Sequence, residues 1–380
     1  MRMNGDVRLH IDIEKRLDPF RLQVRLDVGS EILVLFGPSG AGKTMTLQSI
    51  AGLVTPDAGE IVFDGRALFR RQRQGGAANL PARRRRVGYV FQDYALFPHL
   101  TALENVAFPL WRKEGGRERA AALLERMRLE HLVGRYPREM SGGQQQRIAM
   151  ARALAYEPDI LLLDEPFAAL DPALRERLQQ GVREVQREFG LVVICVTHNL
   201  EDAFAIGDRL AVMHDGQVTQ VGAVEEVFQR PANLRAAESM GVRNLIHARV
   251  TGTSADGVVL DWDGLTLEAP PQRAVTGQMA PGYIRPEDIK LLYADRGVGE
   301  ALRRNQVDGT VVGREDLADF TTLFVALPNG HQVEVRFPSY TYGSMRLRVG
   351  SAARLSLRRE GLVLLHGPVS LDIPPLRSIQ

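Results

Sequence analysis

The first 235 residues alternate short apolar runs with longer amphipathic stretches. This alternation predicts an α/β domain built on a largely parallel sheet. Three runs, at 31–36, 159–163 and 191–197, are apolar at nearly every position, which is the pattern of strands buried on both faces. We therefore expect three central strands there, and a helix over 44–51 after a glycine-rich turn.

After residue 235 the pattern changes to alternating apolar and polar positions separated by Asp-Gly and Asn-Gly pairs. The Asn329-Gly330 pair lies between two alternating runs and predicts a two-residue β-hairpin. Stretches that open at 248–252 and 309–313 have similar shapes, which suggests an internal repeat. We expect an α/β domain over 1–235, followed by an all-β domain of two small barrel lobes at about 236–300 and 301–380.

Charge and cysteine content narrow the functional classes. The 380 residues include 48 Lys and Arg against 46 Asp and Glu, a formal net charge of +2 that gives no overall attraction for nucleic acid or anionic membranes. Cys195 is the only cysteine, which excludes a disulfide-stapled secreted protein and fits a reducing compartment. The charged N-terminus is unlike a secretory leader, and we find no run of about 20 apolar residues that could cross a bilayer.

Residues 37–44 fit the phosphate-binding pattern G-x4-G-K-[ST], directly after a predicted buried strand. Glycines let backbone N–H groups turn toward phosphate oxygens, and a helix N-terminus adds partial positive charge. Lys43 is placed to reach the β- and γ-phosphates, and the Thr44 hydroxyl to ligate Mg²⁺. The strand and helix on either side disfavour an incidental glycine-rich turn. The nucleotide-binding candidates are Gly37, Pro38, Ser39, Gly40, Ala41, Gly42, Lys43 and Thr44.

Two adjacent carboxylates, Asp164 and Glu165, follow the apolar run that begins at residue 159. They stand at the carboxyl end of a predicted strand, where open α/β sheets bind ligands. If Asp164 holds Mg²⁺ directly or through water, Glu165 is free to polarise a water for attack on the γ-phosphate. The alternative is a pair of helix-capping residues before Pro166, which the upstream phosphate loop disfavours.

A third segment, 140–147, precedes an Ala-rich helical stretch over 148–155. Ser141 can cap this helix, and the following glycines allow close backbone approach, which makes the helix start a second anion site. Taken alone, the segment is better explained as simply a well-capped helix.

The order and spacing of these motifs resemble one family, the ATP-binding subunits of ABC transporters, over residues 5–235. The resemblance implies that Ser141, Gly142, Gly143 and Gln144 form the signature motif, which contacts the nucleotide held by the other subunit of a homodimer. Segment 168–171, ending at Asp171, is similar to the D-loop at the dimer interface.

The same resemblance assigns further roles. Gln92 is similar to the Q-loop glutamine, with a part in catalysis and, beside Thr44 and Asp164, in Mg²⁺ binding. His198 is similar to the switch histidine that contacts the γ-phosphate, so Glu165, His198 and Gln92 are the catalytic candidates. Phe20 is the nearest aromatic that could stack on adenine, in a segment that departs from the family pattern. Met140 stands where the family usually has Leu, a swap of similar volume.

The resemblance implies an ATPase that drives import of a small solute through a separate membrane permease supplied by a solute-binding protein. It places the chain peripherally on the cytoplasmic side of the cell membrane, with 92–100 receiving the permease. The β region resembles the oligomer-binding-type lobes (TOBE/MOP-like) of importer ATPases, where it either stabilises the dimer or binds a regulatory ligand.

Segments 87–93, 96–99 and 243–249 look most like molybdate or tungstate importers. Sulfate/thiosulfate, ferric-iron and polyamine importers are the alternatives. A non-transport ABC ATPase is disfavoured because the chain has one phosphate loop and no sustained heptads. The run Arg83 to Arg86 lacks interleaved aromatics, so we expect a solvated loop or an acidic partner there and no nucleic acid.

Overall fold

The computed structural model describes residues 7–71, 77–168, 170–292, 299–339 and 347–365. Its contacts divide the chain into two units at Gln229 and Arg230, a few residues before the predicted boundary. The strands of the first unit are β1 (Leu9–Leu17), β2 (Phe20–Val28), β3 (Ile32–Phe36), β4 (Ala58–Phe63), β5 (Arg66–Arg71), β6 (Ala78–Asn79), β7 (Val87–Val90), β8 (Ile160–Asp164), β9 (Val192–Thr197), β10 (Arg209–His214) and β11 (Gln217–Ala223). Its helices are α1 (Lys43–Ala51), α2 (Ala102–Ala107), α3 (Gly116–Arg126), α4 (Gly142–Ala155), α5 (Pro172–Phe189), α6 (Leu200–Ile206) and α7 (Val224–Gln229).

The second unit begins with one helix and continues as strands. They are α8 (Leu234–Ser239), β12 (Asn244–Ser254), β13 (Gly257–Trp262), β14 (Leu265–Ala269), β15 (Met279–Ile284), β16 (Ile289–Leu292), β17 (Gln306–Asp316), β18 (Phe320–Ala326), β19 (Gln332–Pro338), β20 (Ala352–Leu357) and β21 (Val363–Leu364).

The first unit is built on an eleven-stranded sheet in the order β6-β5-β4-β1-β2-β11-β10-β3-β9-β8-β7. The strands from β10 to β7 are parallel neighbours, whereas β1, β2, β4, β5 and β6 pair antiparallel in the other half of the sheet. Every residue of β3, β8 and β9 is buried, which confirms the three predicted central strands. Their carboxyl ends therefore share one edge, where the candidate site lies.

Two five-stranded antiparallel sheets form the second unit, in the orders β14-β13-β12-β15-β21 and β19-β18-β17-β20-β16. Their long strands, β12 and β17, both contain a bulge just before a glycine, Gly252 in one and Gly313 in the other. The same strand order and the same bulge confirm the internal repeat.

The two lobes do not follow the predicted division at residue 300. β16, from the first half, pairs with β20, and β21, from the second half, pairs with β15. Side chains of both sheets form one apolar cluster that includes Ile246, Leu260, Leu323 and Leu355. Exchange of the last strand explains the error, because pattern and turn signals do not reveal which sheet a short strand joins. The end of the predicted second lobe, 366–380, lies outside the described residues.

Two similar contacts, which we call clasps, join the two sheets. In each clasp, an Arg-Asn pair of one sheet binds a Glu of the other sheet. Asn244 exchanges two hydrogen bonds with the backbone of Glu334 (2.8 and 2.7 Å), and Arg243 lies 3.5 Å from the Glu334 carboxylate. Its counterpart in the repeat, Asn305, bonds the backbone of Glu268 in the same way (2.8 and 2.7 Å), and Arg304 lies 2.5 Å from that carboxylate.

The hairpin turns differ in type. Asp263 and Gly264 both have positive φ, 49° and 88°, as a two-residue type I′ turn between β13 and β14 requires. The turn at Asn329-Gly330 is longer than predicted, because β18 and β19 pair at Ala326 and Gln332. A two-residue turn would pair residue 328 across the hairpin, and Pro328 has no N–H to donate.

Candidate functional site

The predicted phosphate loop joins β3 to α1 in a tightly packed turn. Gly37 has φ of 157°, and a Cβ there would lie 2.1 Å from the Met213 backbone oxygen on β10. Gly42, with φ of 97°, stands directly before α1. Both positions therefore need glycine, because the neighbouring strand and the left-handed backbone leave no room for a side chain.

The Lys43 side chain folds back into this loop. Its Nζ donates to the backbone oxygens of Gly37 (2.8 Å) and Pro38 (3.0 Å), and the residue is 7% exposed. Burial lowers the pKa of Lys43, while the Glu165 and Asp164 carboxylates oppose that change. The loop thus holds a buried ammonium group on two backbone carbonyls, within the field of two carboxylates.

Asp164, the last residue of β8, is 5% exposed, and both of its carboxylate oxygens accept hydrogen bonds. Thr44 Oγ1 donates to Oδ1 (2.9 Å) and the Tyr89 hydroxyl donates to Oδ2 (3.0 Å). Burial, followed by the Asp164 charge, raises the pKa of Tyr89 above its usual range, so this hydroxyl keeps its proton. Sequence reasoning missed Tyr89, although a half-buried tyrosine in a strand usually finds a partner for its hydroxyl.

Glu165 and His198 meet at the same sheet edge, since β8 and β9 are parallel neighbours. His198 Nδ1 lies 2.9 Å from Glu165 Oε1, with the His198 side chain largely exposed and that of Glu165 mostly buried. Glu165 has φ of 48°, a region that costs a non-glycine residue energy, and its N–H donates to Val196 O (3.0 Å). Such local strain is typical of positions that aim a functional side chain.

A buried polar cluster that the sequence did not predict supports the His198 loop. Asp202 on α6 accepts from Thr197 Oγ1 (3.0 Å) and from Gln179 Nε2 (2.7 Å). The Thr197 hydroxyl in turn accepts from the Asn199 N–H (3.0 Å). Burial raises the pKa of Asp202. The residues on both sides of His198 are therefore fixed to the start of α6 through one carboxylate.

Gln92 and Phe20 border this group of residues. Gln92 is exposed and follows β7, whose Val90 pairs with Leu163 on β8, so it lies toward the same sheet edge. Phe20 begins β2, and a Cβ on Gly42 would lie 3.2 Å from its ring. The structure thus places an aromatic ring beside the last glycine of the phosphate loop.

The segment 141–144 opens α4 as predicted. Ser141 Oγ accepts from Gln144 N (3.4 Å), and Gln144 Oε1 accepts from Ser141 N (2.9 Å), which completes a capping box. A Cβ on Gly143 would lie 1.9 Å from Leu174 of α5, whose N-cap is Asp171. This close packing brings the segment to the start of α5.

Across the described ranges, no hydrogen bond joins segment 141–144 or Asp171 to the phosphate loop of the same chain. Ser141, Gly142 and Asp171 are exposed. Ala169, within the predicted D-loop, lies outside the described residues.

The arginine run is only partly solvated, which corrects the prediction. Arg85 is 2% exposed, and its guanidinium donates to the carbonyls of Leu80, Ser49 and Ile50 and to the Asn79 side chain. Burial lowers the pKa of Arg85 to about 10. The carbonyls of Ser49 and Ile50 lie in the last turn of α1, so the buried Arg85 guanidinium caps the carboxyl end of this helix.

Within the described part of the chain, no three His, Cys, Asp or Glu side chains come together as a metal cluster. Mg²⁺ usually takes only one or two protein carboxylates and completes its shell with phosphate oxygens and water. The Thr44 hydroxyl and the Asp164 carboxylate, already in contact, fit such a site. None of the helices in the described ranges is long and apolar enough to cross a membrane.

Comparison with known proteins gives two family matches, to ABC transporters at residues 22–168 and to the TOBE domain at 283–365. The spermidine/putrescine import ATP-binding protein PotA of Nitrosomonas europaea is 37% identical over 367 residues, covering 93% of this chain and 98% of that protein. The molybdate/tungstate import ATP-binding protein WtpC of Pyrococcus horikoshii is 38% identical over 83% of this chain and 87% of its own length. The sulfate/thiosulfate import ATP-binding protein CysA of Bacillus cereus is 40% identical over 72% and 76%.

Two solved structures are similar to more than half of the chain. A dimeric ATP-binding cassette in a post-hydrolysis state with ADP and Pi has a TM-score of 0.50 and 33% identity, covering 57% of this chain and 98% of that one. A component of the ABC transporter complex cbiONQ from Clostridium perfringens has a TM-score of 0.53 and 28% identity, covering 59% and 91%.

Proposed function

The chain belongs to the ATP-binding proteins of ABC-transporter import systems, and from this premise we propose which solute, partners and residues its ATP hydrolysis serves. It is an ATP-hydrolysing importer subunit with a TOBE domain. We propose that it works peripherally on the cytoplasmic face of the membrane. There it would drive uptake of molybdate or tungstate through a separate permease and solute-binding protein.

The contact between Thr44 and Asp164 carries the proposal for the nucleotide site. Residues 37–44 would hold the phosphates, with the Lys43 ammonium exchanging loop carbonyls for phosphate oxygens. Mg²⁺ would be held by Thr44, Asp164 and Gln92 and would neutralise phosphate charge. Glu165 would orient and polarise the attacking water. His198, whose Nδ1 lies 2.9 Å from Glu165 Oε1, would contact the γ-phosphate.

We propose that two copies bind ATP head to tail. Ser141, Gly142 and Asp171 are exposed and adjoin α5, so they are open to the nucleotide of a second copy. The dimeric cassette bound to ADP and Pi supports this arrangement by similarity. The ring of Phe20 beside Gly42 supports its proposed contact with adenine.

A groove of about 1140 Å³ beside β7 supports the proposed permease contact. Its lining combines aromatic rings, with Trp111 71% and Phe108 46% exposed, and five cationic side chains. The cations are Arg83, Arg86, Arg112, Lys113 and Arg152. Such a groove fits a permease segment that carries apolar residues flanked by carboxylates.

The proposal of molybdate or tungstate as the solute rests on segments 87–93, 96–99 and 243–249 and on the similarity to WtpC. Polyamine and sulfate/thiosulfate remain the competing solutes, because proteins named for them are equally similar. The side chains of Arg243 and Asn244, in the third segment, are engaged with Glu334, which favours a structural role for that segment.

Replacing Glu165 by Gln tests the ATPase assignment. Loss of the general base should lower ATP turnover at least about a hundredfold while ATP binding persists and the ATP-bound dimer accumulates. Phosphate release measures turnover, an ATP-binding titration measures binding, and light scattering after size exclusion measures the dimer. The exposed Glu130→Gln substitution is the matched control and should turn over normally. Undiminished hydrolysis by Glu165→Gln would contradict the assigned role.

Uptake in cells that lack the chain tests the solute. Labelled molybdate, sulfate, spermidine and ferric iron are supplied to cells that carry the wild type or Glu165→Gln. We expect molybdate uptake alone to depend on the wild-type chain. Dependence of another solute would reject molybdate and leave the ATPase assignment intact.

A further inference from the structure

Tyr89 lies on β7, the edge strand that pairs in parallel with β8. Its hydroxyl donates to Asp164 Oδ2 (3.0 Å), on the carboxylate oxygen that Thr44 does not contact. The Tyr89 ring stacks on Phe91 with centroids 4.2 Å apart and packs against the core of the sheet. Packing alone therefore holds the ring in place, and the hydroxyl is free to donate its hydrogen bond to Asp164.

The two hydroxyls fix the carboxylate from both sides. With one oxygen held by Thr44 and the other by Tyr89, the plane of the carboxylate cannot turn without breaking a hydrogen bond. Thr44 is itself a proposed metal ligand, and its proton points at Asp164, so its oxygen lone pair is available for a cation. The hydrogen bond of Tyr89 goes to Asp164 and to no other proposed nucleotide ligand, which limits its effect to this carboxylate.

We propose that Tyr89 is a positioning residue that orients the Asp164 carboxylate for Mg²⁺, an inference that rests on the proposed nucleotide site. Hydrogen bonds to ligating carboxylates commonly control metal affinity, and their loss typically weakens it about ten- to a hundredfold. If the hydroxyl had no such role, its removal would leave Mg²⁺ binding unchanged.

The test uses the full chain with Glu165→Gln to prevent turnover, with and without Tyr89→Phe. Binding of a fluorescent ATP analogue is titrated with MgCl₂, and separately without Mg²⁺ in the presence of a chelator. We expect Tyr89→Phe to raise the Mg²⁺ concentration at half-saturation about tenfold and to leave Mg²⁺-free binding unchanged. Tyr136→Phe, which removes a hydroxyl from an exposed tyrosine of the same unit, should change neither.

Three results would overturn the inference. An unchanged Mg²⁺ half-saturation would make the hydroxyl dispensable and leave the proposed function standing. An equal loss of binding with and without Mg²⁺, accompanied by a lower unfolding temperature, would give Tyr89 a purely structural role. If the parent protein binds ATP without any dependence on Mg²⁺, both this inference and the proposed metal site fail.

Discussion

Two groups of polar side chains, one in each unit of the protein, are used in opposite ways. At the sheet edge of the first unit, Lys43, Asp164 and Glu165 bring an ammonium group and two carboxylates together, and the Glu165 backbone is strained. In the second unit, Asn244 and Asn305 are neutral and give both ends of their amides to backbone groups of the other sheet. The first arrangement leaves charge available for a ligand, whereas the second uses up its hydrogen-bonding capacity in holding the fold.

The β unit is predicted either to stabilise the dimer or to bind a regulatory ligand. Each Arg-Asn pair, the cationic element that would suit an oxyanion, already has a glutamate partner, Glu334 or Glu268. The clasps therefore favour a stabilising role for this part of the unit.

The largest expected effect is at the phosphate loop. In Gly37→Ala the new methyl would lie 2.1 Å from a backbone oxygen of β10, so the loop or the strand must move. We expect a loss of about 3 kcal/mol in the stability of the first unit, together with loss of ATP binding. Denaturant unfolding and a binding titration measure the two.

Gly40→Ala is the matched comparison for stability. Gly40 has φ of 80° but open space around it, so only the left-handed backbone opposes the methyl, at about 1 kcal/mol. Equal destabilisation by both substitutions would show that the close approach to Met213 does not matter.

The next effect concerns the clasps. Asn305→Ala removes three side-chain hydrogen bonds and places alanine at φ of 50°, while Asn244→Ala removes two. At about 1 kcal/mol for each bond, we expect losses of at least about 3 kcal/mol for Asn305→Ala and about 2 kcal/mol for Asn244→Ala in the second unit, with ATP turnover unchanged. Unfolding monitored in the second unit, alongside a turnover assay, would measure them. A smaller loss for Asn305→Ala than for Asn244→Ala would contradict this hydrogen-bond count.

How much the sequence predicts also differs between the units. The turn at 37–44, the carboxylates 164–165 at the end of β8 and the capping box at Ser141 depend on neighbours in sequence, so local patterns are enough to place them in the fold. The clasps join residues 37 and 90 positions apart, and no local signal connects them. Tyr89 and Asp164 are 75 residues apart and meet only because β7 pairs with β8.

The exchange of short strands between the two sheets of the second unit was missed for the same reason. The repeat was predictable from two similar stretches, but the partners of the short strands β16 and β21 were not. Their positions depend on a common core that forms only when both halves fold. Similarly, the arginine run predicts a solvated loop because a charged run usually is one, while α1 offers Arg85 carbonyls instead.

The smallest effect is a change in pH dependence at Asp202. Burial raises its pKa above the ordinary value of 3.8, so the folded protein binds this proton more tightly than the unfolded chain does. Stability from this group is therefore lost as pH rises from about 4 through the raised pKa. The substitution Asp202→Asn removes the ionisation and keeps both contacts, since an amide oxygen can accept from Gln179 and an amide NH₂ can donate to Thr197. We expect Asp202→Asn to gain on the order of 1 kcal/mol relative to wild type as pH rises above about 4, seen as a divergence of the two unfolding curves. Parallel curves would mean that burial does not oppose the Asp202 charge. The contrast between charged and neutral groups would then depend on Lys43, Asp164 and Glu165 alone.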